Sequence, residues 1–217
     1  MAYYAGAMKL VCLCCIHFRI CCLSFFHSEF YNNYDGLTVY QEIKNGGVEI
    51  LIEDVISKNN EDIGIGAVGT DISIRNVEAR NNQFAGVLIY SSSSDQKTDI
   101  TLDGHLSLKN NINGLYIGFG AMGTIQVTGN LEADRNKNNG VAMDNTTNVD
   151  VVLNKGSSSG KSSKGRSSGS IKACDNGGVD IGNNGTGDFE GNEYTCDTKR
   201  GEGNLPECTP CYPNCLS

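Results

Sequence analysis

A short phrase returns along this chain: NNYDG, NNEDIG, NNQFAG, NNING and NKNNG, each followed by apolar residues at alternate positions. Aligned on the glycine, the repeats fall at Gly36, Gly64, Gly86, Gly114, Gly140 and Gly178, with steps of 28, 22, 28, 26 and 38 residues. A period in the twenties marks a solenoid, in which no unit buries its apolar face without its neighbours. A leucine-rich horseshoe has a similar period, but the chain carries neither its LxxLxLxxN signature nor a stretch of helical periodicity. Short alternating segments bounded by Gly and Asn point instead to an all-β coil.

Stacking the repeats gives three strand columns. The first turns Ile50/Ile52, Ile72/Ile74, Ile100/Leu102, Ile125/Val127 and Val149/Val151 to one side. The second buries Val55/Ser57, Val77/Ala79, Leu106/Leu108, Leu131/Ala133 and Ile171/Ala173. The third, after each Gly, buries Ile65/Ala67, Val87/Ile89, Leu115/Ile117, Val141/Met143 and Val179/Ile181. Apolar residues at period two face the interior of each strand column, so the expected fold is a three-sheet parallel β-helix of about six coils.

With its coil length, three alternating segments and recurrent Asn, the chain resembles the right-handed parallel β-helix, or pectate-lyase-like, superfamily over roughly residues 28–190. The closing stretch ACDNGGVDIGNNGTGDFEGNEYTCD with CTPCYPNC is similar to the end of uncharacterised algal β-helix proteins. The expected division is a Cys-rich apolar leader over 1–27, a β-helix over 28–198 and a Cys-containing tail over 199–217. The leader pattern admits a secretory signal or anchor, a displaced start or a palmitoylated cluster. A membrane is a partner only if that segment is an anchor.

The Asn column Asn33, Asn60, Asn82, Asn111, Asn136 and Asn176 is expected to occupy one corner of every coil. Asn tolerates positive φ there, and its amide can reach the next coil about 4.8 Å away. One repeat is interrupted by GSSSGKSSKGRSSGS, residues 156–170, which reads as a loop leaving the wall. Its lysines and arginine make the one basic patch on a chain of net charge -8, a balance that excludes a general nucleic-acid binder.

The ten cysteines lie in two blocks, five within Cys12 to Cys22 and five from Cys174 onward. Cys174 and Cys196 bracket the last coil and are expected to form a disulfide, with Cys208, Cys211 and Cys215 in a flexible tail. The sequons at Asn145 and Asn184 suit the same secretory route and are the expected glycosylation sites. The protein is therefore expected to be secreted or at the cell surface.

Chemistry is sparse. Glu78 and Glu132 share a column but are separated by the Ser107 rung, roughly 9 to 10 Å apart, and Lys172 follows Glu132, which reads as a surface ion-pair column. His105 beside Asp103 reads as a solvated turn histidine. Glu49, Asp71 and Asp99 stack at the entrance of the first column, followed by Thr124 and Asn148, and could attract a cation weakly. No zinc, phosphate-loop or calcium-repeat motif is present, so no catalytic set, metal site or cofactor is expected. The candidates for ligand contact are Leu88, Tyr90 and Tyr116, a strip on the exposed side of the third column that suits sugar stacking. The expected function is a non-catalytic carbohydrate-binding or structural surface module with glycans as partners. The alternative is a polysaccharide lyase, hydrolase or epimerase acting on acidic glycans.

Overall fold

A computed structural model describes residues 8–11, 23–40, 49–91, 97–153, 169–191 and 193–211. These residues form strands and connecting turns, with no helix among them. The chain opens with β1 (Met8–Val11), β2 (Leu23–Phe26), β3 (Glu29–Tyr31) and β4 (Leu37–Tyr40). Next come β5 (Ile50–Glu53), β6 (Ile56–Lys58), β7 (Ile63–Val68), β8 (Ile72–Arg80) and β9 (Ala85–Tyr90), then β10 (Thr98–Lys109) and β11 (Asn113–Gly118). They are followed by β12 (Met122–Val127), β13 (Asn130–Glu132), β14 (Asn139–Met143), β15 (Asn148–Leu153), β16 (Ser170–Ala173) and β17 (Ile181–Asn183). The last are β18 (Phe189–Glu190), β19 (Tyr194–Cys196) and β20 (Lys199–Gly201). Every pairing between them is parallel, so the chain is a parallel β-solenoid.

One sheet is eight-stranded, in the order β1-β4-β7-β9-β11-β14-β17-β20. The second is twelve-stranded and holds the other two strand columns together. The sequence separates these columns, but β8 and β10 run through the corner without a break. A single residue with positive φ makes each bend, Asn76 at 50° and Gly104 at 64°. Only glycine fits at 104, because a Cβ there would lie 2.2 Å from Asn76 Oδ1.

The inward residues read from the alternation line one continuous core that includes Ile52, Ile74, Leu102, Val87 and Ile117. Each such buried aliphatic side chain contributes roughly 1.5–3 kcal/mol. Two rungs sit two residues from their expected register. Ile125 and Val127 pair with Val151 and Leu153, not with Val149 and Val151. Val141 pairs with Ile181, so the last rung of the eight-stranded sheet is Ile181/Asn183 and not Val179/Ile181. A slip of two keeps every side chain on its side of the sheet, so alternation alone is blind to it.

The Asn column is present, though the positive φ lies one residue earlier. Asn59, Asn81, Asn110, Arg135 and Asp175 have φ of 56–58°. Each turns the corner and delivers the next residue, the ladder Asn, to the interior. Asn60, Asn82, Asn111 and Asn136 are buried. Asn82 donates through its backbone N–H and Nδ2 to Asn111 Oδ1, both at 3.0 Å, and Asn111 repeats this to Asn136 at 3.0 and 3.4 Å. The glycine column packs on the ladder: a Cβ on Gly114 would lie 2.9 Å from Asn136 Nδ2 and 2.5 Å from the Gly140 carbonyl.

The C-terminal end is closed by residues that the sequence assigns to a tail. β20 joins the eight-stranded sheet, Thr209 bridges to Thr195, and Leu205 and Cys208 pack on the core. Cys174 pairs with Cys211 and Cys196 with Cys208, in place of the expected Cys174–Cys196 bond. The returning segment brings its own thiols over the terminal coil, hydrogen-bonded through Thr209 N–H to the Tyr194 carbonyl at 2.8 Å and Cys211 N–H to Asp197 Oδ1 at 2.9 Å. β1 and β2 arise from the segment read as a leader. Cys12 to Cys22, Cys215 and nearly all of the 156–170 loop lie outside the described residues.

Candidate functional site

The outer face of the eight-stranded sheet carries the most unusual surface. Along its strands Leu37, Val39, Val87, Ile89, Leu115 and Ile117 fill the interior, which turns Thr38, Gly66, Leu88, Tyr116 and Ala142 outward in one register row. Asp180, expected to continue this row, is buried at 2% exposure, and Gly182 takes the outward place.

These outward residues do not simply face water. Ile63, Ala85 and Leu88 form a second apolar cluster outside the sheet, against which Phe84, Tyr90 and Tyr116 pack. The structure therefore brings together all three residues expected to contact ligand, with one change of role. Leu88 is only 7% exposed and serves as the floor beneath the rings, not as a stacking surface.

Phe84 and Phe119, which the strand columns do not contain, complete the cluster. Phe84 lies 5.2 Å from Tyr116 and 6.5 Å from Phe119, ring centre to ring centre. Phe119 is also 6.4 Å from Tyr90 and 6.1 Å from Tyr116. Tyr90 meets Tyr40 edge-on at 5.9 Å, and their hydroxyls hydrogen-bond. The missed signal is GFG, residues 118–120: an aromatic flanked by glycines just past a strand end.

Phe119 is 55% exposed and has φ of 52°, a region costly for a bulky L-residue. The next rung holds it there. Asp144 Oδ2 accepts the Phe119 N–H at 3.0 Å, and Thr146 Oγ1 accepts the Gly120 N–H at 2.9 Å. Asp144 Oδ1 accepts from the Thr146 N–H at 2.8 Å and from Thr147 Oγ1 at 3.0 Å. Burial opposes the charge on Asp144, but these hydrogen bonds outweigh it and hold its pKa below the usual carboxylate value. Gly118 leaves room for this arrangement, since a Cβ there would lie 2.4 Å from Asp144 Oδ2 and 2.6 Å from Tyr116 Cε1.

Acidic groups flank the rings at the other end. Burial, then the neighbouring Asp62, raises the pKa of Asp35, and burial raises that of Asp62. Burial and the bond to Tyr40 push the Tyr90 phenol up, with Asp35 and Asp62 adding to the shift.

Several of the other charged residues are engaged with each other. Glu78 pairs with Arg80 at 2.9 Å, Glu132 with Lys109 at 2.6 Å, and Lys172 with Asp134 at 2.8 Å, while Lys172 also favours the charge of Glu132, its neighbour in register. Lys109 is the main cause that holds Glu132 below its usual pKa. Asp103 accepts from Arg75 Nε at 2.8 Å and Thr128 Oγ1 at 2.9 Å, so it does not orient the exposed His105. Asp180, Asp197 and Cys211 lie close enough to suggest a metal site. However, Cys211 is spent in its disulfide, and Asp180 already accepts from the N–H groups of Asp197 and Thr198 and from the Asn176 amide. The stack Glu49, Asp71, Asp99 and Thr124 holds its register and continues to Asp150, not to Asn148, because of the shifted rung. Glu49, Asp71 and Asp99 are all exposed.

Asn145 and Asn184 are exposed, on neighbouring rungs beside the aromatic cluster. Comparison with protein-family models, curated proteins and solved structures finds no match to this chain.

Proposed function

We propose that the chain is a non-catalytic carbohydrate-binding module, secreted or at the cell surface, that binds a glycan across the outer face of its eight-stranded sheet. One observation carries this reading: Phe119 stands more than half exposed in a strained backbone position, in contact with Phe84, Tyr90 and Tyr116. A soluble fold gains nothing in stability from an exposed phenylalanine at positive φ, and such strain concentrates where a residue serves a ligand. Sugar rings present C–H faces that pack on aromatic faces, and successive rungs repeat at about 4.8 Å, close to the length of one sugar unit.

The non-catalytic character is supported by the engagement of Glu78, Glu132 and Lys172 in ion pairs with Arg80, Lys109 and Asp134. The solenoid is assigned to the right-handed, pectate-lyase-like type on its coil length and Asn ladder. Two disulfides and two exposed sequons are compatible with an extracellular site. A glycan array probed with the wild-type chain and with Phe119→Ala tests the proposal. The expected result is a defined set of bound glycans, lost in the variant; a signal that survives Phe119→Ala together with Tyr116→Ala places binding elsewhere.

A further inference from the structure

We propose that Asp35, Asp62 and Thr38 form a polar subsite at the β4 end of the aromatic face that grips the hydroxyls of an uncharged sugar, so that the ligand is a neutral glycan and not a uronate polymer. This rests on the carbohydrate-binding reading and gives it a substrate class.

Asp35 and Asp62 meet because of the register, and Thr38 follows them on the outward row of β4. Asp62 N–H donates to the Tyr34 carbonyl at 2.8 Å, and Gly36 N–H donates to the Ile63 carbonyl at 2.9 Å. Asp35 and Asp62 thus leave the same corner of consecutive coils, and both act electrostatically on the Tyr90 phenol. Thr38 projects from the outer face between the inward Leu37 and Val39, next to Gly66 and Ile63, and is only 5% exposed.

Two polar atoms on this patch, Asp35 Oδ1 and Thr38 Oγ1, are buried without a hydrogen-bond partner. Buried polar atoms in folded proteins almost always have one, and an unsatisfied group costs about 1–3 kcal/mol. A sugar hydroxyl, which both donates and accepts, can partner either atom once its side chain turns to the surface. Next to them the Tyr40–Tyr90 pair supplies phenol oxygens and ring edges.

Charge selects among sugars. Among the described residues no lysine or arginine pairs with Asp35, Asp62 or Asp144, whereas Glu29, Glu53, Glu78, Asp103, Glu132 and Asp134 all have a cation partner. Among the described residues the aromatic face is therefore bounded at both ends by carboxylates without a cation partner. A uronate brought onto it would meet like charge in a partly desolvated setting, while a hydroxyl would form a charge-assisted hydrogen bond. The raised pKa values of Asp35 and Asp62 agree with two crowded, partly buried carboxylates.

The test is calorimetric titration of the full chain with cello-, laminari- and mannohexaose and with galacturonate and mannuronate hexamers, with and without Ca²⁺. At least one neutral hexamer should bind tenfold or more tightly than either uronate. Asp35→Asn and Asp62→Asn, checked for unchanged melting cooperativity, should each weaken that binding about tenfold, the loss of one charge-assisted hydrogen bond. Uronates that bind as well as neutral sugars, with or without Ca²⁺, overturn the subsite and leave the module reading standing. So does neutral binding that Asp35→Asn and Asp62→Asn leave unchanged. Failure of every hexamer to bind overturns both.

Discussion

The Asn176 side-chain amide donates to Asp180 Oδ1 at 2.8 Å, and with that bond the Asn ladder ends in a carboxylate. Asp180 stands in the glycine column, one rung beyond Gly140, and reaches the place that the next ladder Asn would fill. Its Oδ2 accepts the N–H groups of Asp197 and Thr198, both at 2.9 Å. An acceptor-only group suits a terminus at which every neighbour is a donor. Asp180→Asn swaps one acceptor for an NH₂ aimed at N–H groups and should destabilise the solenoid by about 2–4 kcal/mol. Urea unfolding measures this, and a loss below about 1 kcal/mol would show that the cap is not structural.

Within the ladder, adjacent asparagines should respond differently. Asn111→Ala leaves the Asn82 N–H and the Ala79 carbonyl unpartnered and should cost about 2–4 kcal/mol. Asn81→Gly, at φ of 57° on the exposed side of the corner, should change stability by no more than about 0.5 kcal/mol. Equal effects at the two kinds of position would contradict the assignment.

Peptide mapping under non-reducing conditions should recover Cys174 linked to Cys211 and Cys196 linked to Cys208. The bonds close separations of 37 and 12 residues. On chain entropy these are worth about 4 and about 3 kcal/mol, so Cys174→Ala should lower the melting temperature more than Cys208→Ala. A recovered Cys174–Cys196 peptide would reject the closure of the terminal coil by residues 203–211.

Asp35 gives a pH-dependent prediction. Its folded pKa is raised by burial and by Asp62. Its contribution is therefore fully present below the unfolded value of about 3.9 and is lost as pH rises through the folded value. Asp35→Asn should accordingly be more stable than wild type at pH 7, and the difference should vanish near pH 3. Melting curves of the two proteins at both pH values decide it; a variant less stable at pH 7 would contradict the unrelieved charge.

How much of this was legible follows from what each signal can carry. Ile74, Val87 and Leu115 announced their burial because period two is set by the pleat. The displaced pairing of Val127 with Leu153 was not legible, since a two-residue slip keeps the same alternation. In each NN doublet both residues suit Asn, one at the αL corner and one in the ladder, so composition could not say which was which. Leu88 and Tyr116 were placed on the outer face correctly. What covers the Leu88 cluster was only partly visible, because Phe84 lies in a turn and reaches it through tertiary contacts, and Phe119, in another turn, packs on the rings. The disulfides depended on where the closing segment runs, which spacing does not encode.

Phe119 separates stability from function. Phe119→Gly removes a left-handed penalty of about 1–2 kcal/mol and gives up ring packing that is already more than half exposed. Its melting temperature should be no lower than that of wild type, while glycan binding is lost. A marked loss of stability would make the ring a structural element.

The most direct test of the central claim is aromatic-proton NMR of the assigned chain during titration with the glycan that gives the strongest array signal. The account predicts saturable shifts of the Tyr40, Tyr90, Tyr116, Phe84 and Phe119 rings, with Tyr194, buried in the terminal coil, unchanged. Saturable shifts confined to residues of the opposite sheet, around Glu132 and Lys172, or no shift at the five rings, would contradict it.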